Sequence, residues 1–195
     1  MTTESKKLWR ADPADDALRG DSASLHYDAT TIHLHWVTAG LVVLLWCLGQ
    51  TIDWFGQGMP RIAARGTHIT LGAVLGLILC YRLWWRAGAG RRLPPAGSGL
   101  LQHLATIVHY LLYVVLIAVV LLGLANTWVR GDNIFNLFAI PAFDPANKVL
   151  RHQVGDLHAL GANVLLVVAG LHASAALMHH FVVNDAVLRR MFRQR

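Results

Sequence analysis

Charge is what this chain has least of. Only 14% of its 195 residues are Asp, Glu, Lys or Arg, where soluble domains carry about a quarter. With a hydrophobic share of 55% and a mean hydropathy of +0.44, that shortage argues against a soluble globular domain. Cysteine is scarce too. Cys47 and Cys80 both lie inside apolar runs and read as packing residues rather than as a disulfide. The first thirty residues lack any apolar core, so they are not a secretory signal peptide; residues 1–28 read as a polar tail. No internal repeat of fixed period and no second domain is visible. The net charge of +6 could suggest nucleic acid. The basic residues instead flank apolar runs, where juxtamembrane charges sit, and nucleic-acid binding is set aside.

What the chain does have is four apolar stretches, each near the length of about 20 residues that a bilayer crossing needs. They run approximately over Ile32–Ile52, Thr67–Trp85, His103–Ala125 and Leu157–Val183, nearly free of acids and of lysine. Lipid offers no partner to open backbone groups, so all four must be helices. Asp28, Thr30 and Thr31 supply start signals before the first, and Asp156 stands at the head of the fourth. The expected fold is an all-α integral membrane protein, a four-transmembrane-helix bundle filling residues 29–195.

Lys and Arg set its direction. Lys6, Lys7, Arg10 and Arg19 lie in the tail, Arg82, Arg86, Arg91 and Arg92 between spans two and three, and Arg189, Arg190, Arg193 and Arg195 at the end. These twelve face five on the other side: Arg61, Arg65, Arg130, Lys148 and Arg151. The bias places both termini in the cytoplasm, which only an even number of spans allows. The connection RAGAGRRLPPAGSG is Gly/Pro-rich and flexible. The outer connection from Asn126 to Gly155 is longer. Its aromatics Trp128, Phe135, Phe138 and Phe143 suit either an interfacial lid or an ordinary aromatic belt.

Eleven histidines are present, several inside or at the edges of the spans, where ionisable groups are costly and usually functional. His158 and His172 are fourteen residues apart on one helix. At roughly 100° per residue they point to nearly one face, with a rise of roughly 21 Å. One imidazole in each leaflet is what two stacked haems require, and neutral imidazole is a good iron ligand. No CxxCH occurs, so covalent c-type attachment is excluded. Depth pairs His35 with His172 near the inner face and His68 with His158 near the outer face. The inner match is imperfect and calls for helix tilt or an extended cytoplasmic end of span four. Gly40, Gly72, Gly76, Gly161, Ala162, Gly170, Ala173 and Ala175 cluster around these residues. Such small residues admit a flat macrocycle or simply let helices pack closely.

The remaining histidines have plainer readings. His33 is a fallback ligand on about the opposite side from His35. His103 and His109 read as interior hydrogen-bonders, His179 and His180 as interfacial, His26 and His152 as exposed. Zinc prefers close clusters completed by Cys or carboxylate, which these scattered residues do not form.

The chain resembles the bacterial cytochrome b561 family, the four-helix di-haem proteins that include superoxide oxidase. The carrying segments are IHLHW, GTHITLG with LILCYRLWWR, HLATIVHYLLYVVLIAVVLLGL, and DLHALGANVLLVVAGLHASAALMHHF with DAVLRRM, spanning about residues 28 to 192. The family's four haem ligands fall on His35, His68, His158 and His172. The resemblance implies two haem b groups, ubiquinone as electron acceptor, and a place in the bacterial inner membrane. It implies electron transfer from superoxide or another periplasmic donor, or, as the alternative, a cytochrome b anchor subunit relaying electrons between a soluble dehydrogenase or hydrogenase and quinone. A purely structural or sensory bundle would leave the intramembrane histidines unexplained.

Outer-sphere electron transfer needs no nucleophile or general acid, and no catalytic residue of that kind is expected. The five outer cations could draw in an anionic substrate or be balanced by Asp132 and Asp144. Arg82 is placed to reach the inner haem or a quinone head-group, or to snorkel to lipid.

Overall fold

The computed structural model describes residues 26–94 and 99–192. The polar tail, with its four cations, and Arg193 and Arg195 lie outside the described residues. Four long helices cross in sequence: α1 Ala29–Thr51, α2 Met59–Ala87, α3 Gly99–Arg130 and α4 Lys148–Met178. All four are long and apolar enough to cross a membrane. A 3-10 turn, Ile52–Trp54, extends α1, and a π-helical turn, His179–Val183, extends α4.

The helices outrun the apolar windows. α2 begins eight residues before Thr67 and α4 nine before Leu157. Hydropathy marks the part in lipid, whereas a helix end is set where a cap satisfies its free N–H groups. Asp28 does cap α1, its Oδ1 accepting from Thr31 N at 2.8 Å. Asp156 does not start α4. That role falls to Asn147, whose Oδ1 accepts from Leu150 N at 2.9 Å, and Asp156 lies inside the helix. α2 opens on Gly58 (φ 89°) with Pro60 in its first turn, where a missing N–H costs nothing.

The core is a small leucine layer at mid-depth, formed by Leu45, Leu75, Leu79, Leu116 and Leu165. Large apolar side chains such as Leu77, Ile107, Val167 and Leu171 point outward, as a lipid-facing surface requires. Glycine lets neighbours approach: a Cβ on Gly161 would meet Val119 Cγ2 at 3.0 Å, and one on Gly76 would meet Val120 Cγ1 at 3.2 Å. Cys47 and Cys80 are unbonded and exposed on the bundle surface, not packed in its core.

The two ends differ. At one, which carries both ends of the described chain, Asp28 accepts from Thr31, Trp85 Nε1 and the Arg91 backbone N–H. Burial pushes the Asp28 carboxyl up, but these hydrogen bonds outweigh it and hold the group below its ordinary range. Asn184, in the left-handed region, ends the π turn, and the chain returns under α1: Trp36 Nε1 donates to Met191 O, and Tyr27 N to Arg190 O. At the other end the α3–α4 connection forms a two-stranded hairpin, β1 Asn133–Ile134 with β2 Phe138–Ala139. It lies over α2, and a Cβ on Gly66 would press on the Phe135 ring at 3.1 Å. The aromatic connection is thus a short hairpin seated on the bundle. We call these ends the terminal face and the loop face.

Candidate functional site: two histidine pairs

α4 carries His158 and His172 with Leu165 midway between them, so each imidazole sits half-buried on one side of the leucine layer. α1 and α2 bring a partner to each. His68 faces His158 with ring centroids 6.1 Å apart and planes at 89°. His35 faces His172 at 6.5 Å and 71°. The rings meet in the pairs that depth suggested, including His35 with His172. α1 starts six residues before His35, and α4 continues through its π turn eleven residues past His172. His33 is exposed and takes no part.

The two pairs have different surroundings. His158 Nδ1 donates to Val119 O at 3.1 Å, leaving Nε2 free to ligate. His68 Nδ1 is buried without a hydrogen-bond partner among the described residues. At the terminal face Arg82 Nη2 stands 3.3 Å from His35 Nδ1, with its guanidinium 5.4 Å from the Tyr113 ring centre. His109 stacks edge-on to His172 at 4.9 Å and donates through Nδ1 to Ala105 O.

The family model described as prokaryotic cytochrome b561 matches residues 26–194. The chain belongs to the prokaryotic cytochrome b561 family. It is 28% identical over 173 residues to cytochrome b561 homolog 1 of Escherichia coli, covering 87% of this chain and 98% of that protein. It is 30% identical over 168 residues to a probable superoxide oxidase CybB of Yersinia pestis, covering 85% and 94%. Cytochrome b562 of Cereibacter sphaeroides is 28% identical over 172 residues, 87% and 96% of the two chains. This cytochrome is therefore a membrane electron-transfer protein of a family that binds haem b.

The residues present fit such a group. Iron held between two imidazoles by bonds of about 2 Å leaves their centroids roughly 6 Å apart, the separation of both pairs. The glycines divide. A Cβ on Gly40, Gly72 or Gly170 would meet nothing within 4 Å, as room for a macrocycle requires, whereas Gly76 and Gly161 serve helix packing.

Two glycines that the sequence reading passed over touch the imidazoles themselves. A Cβ on Gly123 would come within 3.0 Å of His158 Cε1, and one on Gly49 within 3.4 Å of His68 Cε1. Nothing in a single sequence marks them, because each acts on a histidine of another helix. His103 and His109 are both exposed rather than interior, but the His109 ring still meets His172 at the terminal-face site. His179 lies seven residues beyond His172, hence on about the same side of α4, and its Nδ1 pairs with Asp185 Oδ2. Burial raises the Asp185 carboxyl, but hydrogen bonds from Val187 N and His179 more than offset this and leave it low.

At the loop face, Asp53 pairs with Arg61 at 3.6 Å. Asp132 pairs with Arg65 at 3.4 Å and Arg130 at 3.6 Å. Burial raises the Asp132 carboxyl above its ordinary value, against the pull of the two arginines. Lys148 and Arg151 have no carboxylate partner among the described residues.

Proposed function

We propose that this cytochrome carries two haem b groups and moves electrons across the bacterial inner membrane from superoxide on the periplasmic side to ubiquinone. His68 and His158 would ligate the haem nearer the loop face, and His35 and His172 the one nearer the terminal face. The bias of Lys and Arg puts the terminal face, and both termini, in the cytoplasm. The observation that carries this reading is the pair of opposed imidazoles at 6.1 and 6.5 Å on either side of one leucine layer. The relative named as a probable superoxide oxidase supports the choice of donor.

Bound haem supplies one-electron carriers. The chain's own residues do the rest. Lys148 and Arg151 draw an anion towards the loop face. The leucine layer excludes water between the two sites. Arg82 sets a positive charge beside His35, where it can meet a propionate or a quinone oxygen. Each superoxide loses one electron and leaves as dioxygen. Ubiquinone takes two electrons and two protons to become quinol, so two superoxides are consumed per quinone.

The test is ubiquinone reduction by the purified protein alone, in liposomes, with superoxide generated enzymatically outside. Quinol should form and superoxide dismutase should suppress it. No quinol without a soluble dehydrogenase or hydrogenase would overturn the stand-alone reading in favour of an anchor subunit.

A further inference from the structure

Between α2 and α3 the loop-face half of the bundle opens outward into a wedge. The two helices pack closely where a Cβ on Gly76 would meet Val120 Cγ1 at 3.2 Å, and towards the loop face from there Ile69, Thr70 and Ala73 of α2 line the wedge with Leu124 and Thr127 of α3. The hairpin roofs the wedge with Ile134 and Phe138, and Trp128 stands at its edge, leaving a cavity of about 340 Å³ walled almost wholly by carbon. Thr70, Ala73, Trp128 and Phe138 are exposed, so the wedge opens to the lipid and not to the histidines. His68 points to another side of α2, towards α4.

A charged cluster lies about one helical turn beyond the wedge on the loop side. Arg65 is one turn before Ile69 on α2, Arg130 one turn after Thr127 on α3, and both reach the carboxylate of Asp132 at the root of the hairpin. Two guanidiniums against one carboxylate leave a net charge of +1. Asp132 is buried, whereas Arg65 and Arg130 are about one-third exposed, with N–H donors to spare.

We propose that this wedge is a binding site for an anionic phospholipid of the loop-face leaflet, with one acyl chain between α2 and α3 and the phosphate at Arg65 and Arg130. Lipid tails are as apolar as the wedge, so the chain by itself gives no preference over bulk lipid. The headgroup decides, and two arginines favour a phosphate with no compensating amine. The aromatic belt at Trp128 and Phe138 sets the headgroup level. The bound lipid would brace the hairpin against α2. The wedge opens away from the histidine pairs, although Arg65 lies about one turn before His68 on α2, and the proposal does not rest on the electron donor.

The haem-loaded protein, stripped of lipid in detergent, would be titrated with phosphatidylglycerol and with phosphatidylcholine of identical chains, and bound lipid counted by native mass spectrometry. One phosphatidylglycerol should bind at least tenfold more tightly than phosphatidylcholine. Arg130→Gln keeps the Arg65–Asp132 pair and should cut that preference several-fold. Ala73→Trp leaves every charge in place and should abolish the tight site by filling the wedge. The haem spectrum reports folding of both variants. Equal affinity for the two lipids, or a tight site untouched by Ala73→Trp, would overturn the proposal. So would displacement of the lipid by ubiquinone at equal concentration, which would make the wedge a quinone site.

Discussion

The loop-face and terminal-face sites use the same ligand chemistry in unlike settings. At the loop face two histidines stand mostly among carbon and glycine, with Arg65 about one turn before His68 on α2; among the described residues the firm polar contact is His158 to the Val119 carbonyl. At the terminal face Arg82 and His109 crowd the His35–His172 pair. A cation beside one pair stabilises the less positive, reduced state there. If both pairs hold haem as proposed, the closer guanidinium, Arg82 in contact with His35, would make the terminal-face site the better electron acceptor. Transfer from loop face to terminal face would then be downhill, as the proposed superoxide oxidation requires.

The largest effect that would separate the two sites is loss of a ligand. His158→Ala should remove the loop-face haem and His172→Ala the terminal-face haem, each lowering haem content from two per chain to one by the pyridine haemochrome assay. One haem or none in the unchanged protein would break the comparison outright; loss of both from either change would report misfolding. Next is Gly123→Leu, which drives a side chain into the His158 ring. It should displace most of the loop-face haem while the terminal-face redox wave stays at full amplitude.

A smaller effect sharpens the difference. Arg82→Gln should lower the terminal-face midpoint potential by on the order of tens of millivolts, leaving the loop-face wave in place. Equal shifts in both waves would mean that Arg82 does not act locally. Smallest is Asp28→Ala, which removes a helix cap worth about 1 kcal/mol and should lower Tm by a few degrees with both haems retained. The Asp28 carboxyl is held low in the fold, so its contribution is complete above the ordinary carboxylate range. It should fade as pH falls through the lower folded value, and the Ala variant should lack that acid-side loss.

Particular residues show what could be read in advance. Fourteen residues between His158 and His172 suffice to put two imidazoles on one side of one helix, because helical geometry is local and fixed. Asp28 was legible as a cap for the same reason. Asp156 misled because hydropathy reports where lipid begins, whereas α4 starts nine residues earlier at Asn147. His103 and His109 looked alike in sequence and both prove exposed in the fold, yet only His109 has a ring contact with His172. The ion pairs of the loop face were half visible. Asp132 does balance Arg65 and Arg130, but Arg61 turns to Asp53 rather than to Asp144.

By itself the sequence determined four apolar helices long enough to cross a membrane, and the relative depth and facing partner of His35, His68, His158 and His172. Those follow from run length, helical rise and the cost of burying an ionisable group in lipid. Only the tertiary structure decided which small residues leave open space and which pack, that Gly49 and Gly123 abut the imidazoles, and that Arg82 and His109 converge on one pair and not the other. These depend on how neighbouring helices are rotated and how close they come, and no single helix carries that information.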